Sequence, residues 1–459
     1  MPEQTAAPPP RAATSAVPQL PRVLGVWALI LYGVVAVTPS APITVFGIAQ
    51  RDSGGHALDT ILFAMVAMVL TATSYGRMAA IFPSAGSAYA YVGQGLNAHL
   101  GFVAGWAMLL DYIFIPLFCV IYGSGALLRL VPELPMVAAT AFFAGVMTIA
   151  NLRGIKTASR TSEVMVGAMM LVLLTFIVLA IKYIVADGGA GALVSTRPFY
   201  NPETFNLQTV GVATAFAALT YLGFDSVTTL AEDVVNPRRN VMLAAVSVCL
   251  FTGIFGGFFT YLAVLVWPDW STFQNFDNAF LDVAHRVGGT GLFTAMGLLL
   301  VVANIGAGMT SQTGASRLLF GMGRDNVFPR GFFAHLSARK TPTYNILLIG
   351  VIAFIGAQWA SVELVGHLLN FGAFLGFMGV NAAVIWYFFV SPPAGHRRNF
   401  LTDFLVPGIA FSFCLYGWLN LSRVAWIAGG TWLALGIIYL AIRTKGFREK
   451  PAPIDFSGV

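Results

Sequence analysis

Two aspartates lie in the middle of long apolar stretches, where a charged side chain needs a functional reason. Asp225 lies within the stretch 208–233 and Asp111 within the stretch 101–130. A charge at the centre of a bilayer costs at least about 2.5 to 3.5 kcal/mol. An Asp can be paired with Lys or Arg instead, but no Lys or Arg lies deep in any apolar stretch. We therefore predict that Asp225 and Asp111 bind a cationic substrate.

Aromatic residues accompany both aspartates. Tyr112 follows Asp111 directly, and Tyr221 and Phe224 precede Asp225. Aromatic ring faces attract alkylammonium groups. We predict substrate contacts for these three side chains, with ordinary packing as the alternative in a chain that is 13% aromatic.

Two apolar stretches contain helix-breaking residues at mid-depth. The first has Pro39 and Pro42 within 23–50, and the sixth has Gly223 next to its carboxylate. Proline removes a hydrogen-bond donor, and broken helices are tolerated in a bilayer only where protein or a cavity surrounds them. The breaks are predicted to line the substrate site with the residues Thr38, Pro39, Ser40, Ala41 and Gly223. A simple proline kink is the alternative for the first stretch.

The composition requires a membrane. The chain is 57% hydrophobic and 10% charged, with a mean hydropathy of +0.78. Stretches of roughly 20 apolar residues cross a bilayer. They predict an all-α polytopic membrane protein with about twelve transmembrane helices, numbered here as spans 1 to 12: 23–50, 59–81, 101–130, 134–152, 161–185, 208–233, 241–267, 283–318, 344–360, 363–390, 402–421 and 424–442.

The two interrupted spans occupy corresponding places. Each opens a block of five spans, at 23–185 and 208–390, and an odd number of spans gives the blocks opposite orientations. A 5+5 inverted repeat with broken spans 1 and 6 places the substrate at the membrane midplane. Spans 11 and 12 fall within 402–445, between a disordered tail at 1–22 and a second tail at 446–459.

Basic residues sort by side of the membrane. With a cytoplasmic amino terminus, 19 of the 25 Lys and Arg residues lie inside and six outside. Cytoplasmic loops are enriched in Lys and Arg, which accounts for the net charge of +6 without nucleic acid. Both termini and both tails are therefore predicted to be cytoplasmic.

Several runs resemble permeases of the amino acid/polyamine/organocation superfamily. The run Thr220–Asn240 resembles their sixth helix and the loop after it, Phe82–Tyr91 their first intracellular loop, Gly101–Trp106 their third helix, and Gly323–Pro329 the loop after their eighth. The resemblance covers about 23–445 and implies the LeuT-like 5+5 fold. In these permeases the acidic position of the sixth helix takes part in substrate recognition, which carries over to Asp225.

Within the superfamily the chain is most similar to bacterial putrescine importers. The similarity rests on Thr44–Ile48, Leu110–Tyr112, Leu222–Thr229, Gly323–Pro329 and Asn370–Ala373. It implies uptake of putrescine or a related polyamine across a bacterial inner membrane by alternating access, driven by the membrane potential or by a coupled ion. The glycine-rich first-helix motif of amino acid permeases is replaced by Thr38–Pro42. An amino acid or monoamine substrate is the alternative.

Other chemistries fit less well. The sequence has no Gly-x-Ser-x-Gly or His-Glu-x-x-His motif, so we predict no enzyme, no catalytic residue and no metal site. Two single aspartates do not form the charged ring of a channel. No cofactor is expected, and proton or sodium coupling stays open. His367 is interpreted as a packing residue or a proton relay, and Pro83–Tyr91 as a gate or a packed re-entrant turn.

Overall fold

The computed structural model describes residues 24–82, 87–153, 159–231, 233–324, 327–337 and 341–451. The tail 1–22, most of the tail 446–459 and the Pro83–Gly86 part of the first intracellular loop lie outside these residues. Within them the chain forms the helices α1 (Val26–Val37), α2 (Ala41–Asp52), α3 (Ala57–Ile81), α4 (Ser87–Gly95), α5 (Ala98–Leu130), α6 (Met136–Leu152), α7 (Ser159–Gly188), α8 (Leu207–Ala217), α9 (Ser226–Thr229), α10 (Pro237–Val266), α11 (Ala279–Arg324), α12 (Arg330–Phe333), α13 (Thr343–Gly356), α14 (Val362–Val384), α15 (Val406–Leu419) and α16 (Arg423–Arg443).

The twelve predicted spans correspond to helices. Among the described residues, nine helical segments are long and apolar enough to cross a membrane. The pair α1 and α2, bent by 46° at a short break, supplies span 1, and the shorter apolar helices α6 and α13 supply spans 4 and 9. The predicted fold class, an all-α polytopic membrane protein, is confirmed.

Helices pack in the pairs that an inverted repeat requires. Span 2 packs on span 7 (α3 on α10), span 3 on span 8 (α5 on α11), and span 4 on span 9 (α6 on α13). Span 10 packs on span 3, and its counterpart span 5 packs on span 8. These contacts between the blocks are those of the predicted 5+5 architecture. The exact bounds of the two repeats stay predictions.

Span 8 differs from its predicted outline. It extends over Ala279–Arg324, and Gly289 breaks it with φ 60° and ψ −160°. That backbone conformation favours glycine. Ala279–Gly288 is therefore a separate helical arm, which apolarity alone did not distinguish from the span.

Hydrogen bonds join the two broken spans on one side of the membrane. Leu24 N–H donates to the Asp233 carbonyl at 3.0 Å, and Val235 N–H donates to the Leu24 carbonyl at 2.9 Å. This isolated parallel bridge ties the start of α1 to the chain that follows α9. It fixes the half-helices of spans 1 and 6 relative to each other.

Candidate functional site

The break in span 1 is a short non-helical link. Thr38 has φ 64° and ψ 128°, which ends α1, and α2 begins at Ala41 with Pro42 in its first turn. Proline is well tolerated there, because the first N–H groups of a helix have no partner within it. The predicted discontinuity is confirmed, and the bend between the two helices argues against a simple kink in a continuous helix. Ser40 is buried at the link.

The break in span 6 lies between a tightened turn and a single helical turn. Residues 218–221 form a 3₁₀ turn, Gly223 has φ 99°, and α9 begins directly after Asp225. Phe224 N–H donates to the Tyr221 carbonyl at 3.2 Å, and Ser226 N–H donates to the Gly223 carbonyl at 3.1 Å. The second predicted discontinuity is confirmed too.

The two breaks touch at Gly223. A methyl group placed on Gly223 would lie 3.1 Å from the Ala36 carbonyl oxygen and 3.5 Å from the Val37 nitrogen. Together with its positive φ, this close approach explains the glycine. The end of α1 therefore packs directly on the non-helical part of span 6, and the polar backbone of both breaks lies in one place.

Asp225 lies at the start of α9 and is 8% exposed. Ser87 is a hydrogen-bond partner of its carboxylate. The Thr228 hydroxyl lies at 2.6 Å from the Asp225 carbonyl oxygen and 3.2 Å from the Ser87 hydroxyl. Hydroxyl groups and helix ends thus surround this carboxylate.

Asp111 lies on α5 and is also 8% exposed. Its Oδ1 atom has no hydrogen-bond partner among the described residues. It is close enough to Asp225 for the two carboxylates to interact electrostatically. The described ion pairs use other carboxylates, so neither aspartate has a Lys or Arg partner in that part of the chain. The structure therefore brings together the two carboxylates that the sequence singled out.

The three predicted aromatic contacts have different surroundings. Tyr112, half-buried, lies close enough to Asp111 and Asp225 for electrostatic interaction. Tyr221 is fully buried and its hydroxyl donates to the Ile61 carbonyl at 2.8 Å. Phe224 is fully buried, with its ring 5.5 Å from that of Tyr75 and 5.3 Å from that of Phe377. Tyr221 and Phe224 are thus buried packing residues next to the break in span 6, whereas Tyr112 lies beside both carboxylates.

Sequence reasoning missed several polar neighbours of Asp225. Ser87 opens α4 and lies within Pro83–Tyr91, for which the sequence predicts a gate or a packed re-entrant turn. Thr228 is one helical turn from Asp225 and was read as part of a family run. Tyr75 on α3 is fully buried, its hydroxyl has no partner among the described residues, and it interacts electrostatically with Asp225. Tyr75 lies in the second-last turn of α3, and its sequence position gave no signal, because the contact depends on how the helices pack.

Comparison of the sequence with known proteins identifies the family. A sequence model described as "Amino acid permease" matches residues 43–428. The chain belongs to the amino acid permease family. It is 32% identical over 442 residues to the low-affinity putrescine importer PlaP of Escherichia coli (strain K12), covering 95% of this chain and 96% of that protein.

Two further relatives are named for other substrates. This permease is 27% identical over 473 residues to the methylthioribose transporter of Bacillus subtilis (strain 168), covering 95% of this chain and 96% of the relative. It is 25% identical over 449 residues to the branched-chain amino acid permease BcaP of the same organism, covering 93% and 94%. The predicted superfamily is confirmed, and the protein is a transporter and not an enzyme. The relatives leave its substrate open.

Proposed function

We propose that this permease imports putrescine or a related polyamine by alternating access, with Asp225 and Asp111 binding the amine groups. The observation that carries the proposal is the pair of buried carboxylates, which interact with each other and have no basic partner in the described chain. Two ionised carboxylates would cost roughly 5 to 7 kcal/mol at mid-membrane. A dication offsets this cost, because it supplies one positive charge to each carboxylate.

The geometry of the breaks supports the same ligand. The carbonyl group of Ala36, near the end of α1, lies against the turn at Gly223, two residues before Asp225. Carbonyl groups at helix ends carry partial negative charge and favour cations. The residues Thr38, Pro39, Ser40, Ala41 and Gly223 would contribute backbone contacts, and Tyr112 would present its ring to an alkylammonium group.

A monoamine or amino acid is the second candidate, favoured by the name of the branched-chain amino acid permease BcaP. Asp111 discriminates between the candidates. A substrate with a single amine needs only one carboxylate, so it would leave Asp111 with no counter-charge. We further propose that the permease acts in a bacterial inner membrane with both termini cytoplasmic, and that it needs no cofactor.

The test is uptake of radiolabelled putrescine into liposomes that contain the purified protein, at a fixed inside-negative potential. Charge-assisted hydrogen bonds contribute about 1.5 to 3 kcal/mol, so Asp225→Asn and Asp111→Asn should each reduce kcat/KM roughly 10- to 100-fold. The control is Asp187→Asn, because Asp187 is exposed at the end of α7.

Competition by cadaverine and spermidine, with little effect of amino acids, supports the diamine. Loss of activity in Asp225→Asn with an unaffected Asp111→Asn would favour a monoamine instead. Absence of putrescine uptake, together with competition or protection by an amino acid, would contradict the proposed substrate and leave the family unchanged.

A further inference from the structure

A second buried acid lies outside the site described above, together with a histidine. His56 immediately precedes α3 and is 1% exposed, and Asp59 in the first turn of α3 is 8% exposed. The imidazole Nδ1 lies 3.5 Å from the Asp59 Oδ2 atom. Neither atom has a hydrogen-bond partner among the described residues. Two buried polar atoms thus face each other with no donor provided by the rest of the fold.

The other side of the imidazole is already occupied. His56 Nε2 lies 3.2 Å from the Thr204 hydroxyl, and the ring packs edge-on against Phe205 at 5.1 Å. If Nε2 carries the hydrogen, it donates to Thr204, and two acceptors are left facing each other at Nδ1 and Oδ2. If Nδ1 carries it, the carboxylate charge stays buried. In both tautomers an added proton neutralises the pair, which burial favours.

No charged group on the neighbouring described elements neutralises the Asp59 carboxylate in place of that proton. On α2, Arg51 and Asp52 form an ion pair with each other, and Arg51 also pairs with Glu363. On the loop before α8, Glu203 is exposed. Burial lowers the pKa of His56, and the main chain of Phe199 opposes this effect. Asp59 is therefore the charged group on which a proton in this site depends.

His56 also joins the elements that carry the two broken spans. Its N–H donates to the Ser53 hydroxyl at 2.8 Å, directly after α2, and Ala57 N–H donates to the Gln50 side chain at 3.3 Å. Thr204 lies three residues before α8, which begins span 6. The pair thus lies where spans 1, 2 and 6 meet, on the side that the charge distribution predicts to be external.

We propose that His56 and Asp59 form a proton-binding site, in which a proton from the external water is shared between Nδ1 and Oδ2 and stabilises the packing of spans 1, 2 and 6. Proton binding changes the pair from a net charge of −1 to zero. Opening of the external side would let water reach the pair and release the proton. Its link to the transport cycle rests on the function proposed above, whereas proton binding itself does not.

The direct test is NMR of protein labelled with ¹⁵N-histidine in detergent micelles, titrated between about pH 5 and 8, the range in which histidine changes its charge. The chain has six histidines, so the His56→Gln spectrum identifies the His56 signal by its absence, and His285→Gln identifies that of the exposed His285. We expect His56 to titrate differently from His285, and Asp59→Asn to shift the His56 midpoint by about one pH unit or more to lower pH. An unchanged His56 midpoint in Asp59→Asn, or a His56 that titrates like His285, would overturn the proposal.

Uptake tests the link to transport separately. At clamped potential and fixed internal pH, the dependence of initial uptake rate on external pH should be reduced in His56→Gln and Asp59→Asn and retained in His285→Gln. Should Asp59→Asn not fold, the comparison of His56 with His285 in the wild-type protein still decides whether the site binds a proton. If putrescine is not transported, the titration remains readable, so failure of the substrate proposal and failure of the proton site are distinguished.

Discussion

Gly223 is the single residue on which contact between the two broken spans depends most. Its φ is 99°, and an added methyl group would lie 3.1 Å from the Ala36 carbonyl oxygen. Backbone conformations of this kind cost a residue with a side chain about 1 to 3 kcal/mol. Gly223→Ala should therefore lower the thermal stability of the purified protein and reduce uptake, because the breaks separate.

The matched control is Gly145→Ala on α6. Nothing lies within 4 Å of a methyl group at that position, and Gly145 has helical backbone. Alanine is favoured over glycine inside a helix by roughly 0.5 to 1 kcal/mol, so stability should rise slightly or stay constant. Equal effects of the two substitutions on melting temperature would show that the contact at Gly223 has no special role.

Single residues also show what the sequence could predict. Asp225 and Asp111 were identifiable because a carboxylate is unusual in an apolar span, and the apolarity of a span is evident from neighbouring residues in the sequence. Ser87, Tyr75 and Asp59 were missed for the opposite reason. Serine and tyrosine are common in membrane helices, and Asp59 lies at a helix end where acids are ordinary. Their significance depends on burial and on partners far away in the sequence.

Among the elements, α2 and α14 are joined by an ion pair at the predicted external end. Arg51 Nη2 lies 2.8 Å from Glu363 Oε2, and Arg51 also pairs with the adjacent Asp52. Burial raises the pKa of the nearby Asp277, an effect that Arg51 opposes and Glu363 reinforces. Arg51 is thus the shared cation of three carboxylates, and it links the second half of span 1 to span 10.

We predict that Arg51→Glu and Glu363→Arg each reduce the uptake rate, because like charges then face each other across α2 and α14. The double substitution should recover part of the rate. Lys445 and Glu449 provide the control, since they form an exposed ion pair four residues apart after the end of α16. Glu449→Gln should leave uptake unchanged, as exposed pairs contribute about 0 to 1 kcal/mol. A double variant no better than the single ones would contradict a role for the pair in closing this side.

Elements with a strong local signal were predicted well. Apolar length gave all twelve spans, and proline and glycine gave both breaks. The arm Ala279–Gly288 and the helix α4 were not predicted as separate elements. The arm is separated from the rest of span 8 by one glycine conformation, which hydrophobicity does not report. Helix α4 has nine residues and lies between the predicted spans 2 and 3, so it is too short to be recognised by apolar length.

For the molecule as a whole, the membrane potential is the largest available driving force on a dication. Each charge that moves across the membrane gains about 2.3 kcal/mol per 100 mV, so putrescine gains roughly 4.6 kcal/mol. At about 1.4 kcal/mol per tenfold ratio, this corresponds to more than a thousandfold accumulation. A permease of this substrate therefore needs no coupled ion to concentrate it.

The dependence of accumulation on potential separates the possible mechanisms. If only a dication moves, the equilibrium ratio of internal to external putrescine should rise tenfold for every 30 mV or so set with potassium and valinomycin, without any pH or sodium gradient. A co-transported proton would make the dependence steeper, at about 20 mV per tenfold, and would add a response to the pH gradient.

Because the proposed proton site at His56 and Asp59 is separate from the substrate carboxylates, the steeper dependence should return to about 30 mV in Asp59→Asn if that proton travels with the substrate. A wild-type slope near 30 mV that does not respond to the pH gradient would instead mean that the site sets the rate of the cycle and not its driving force.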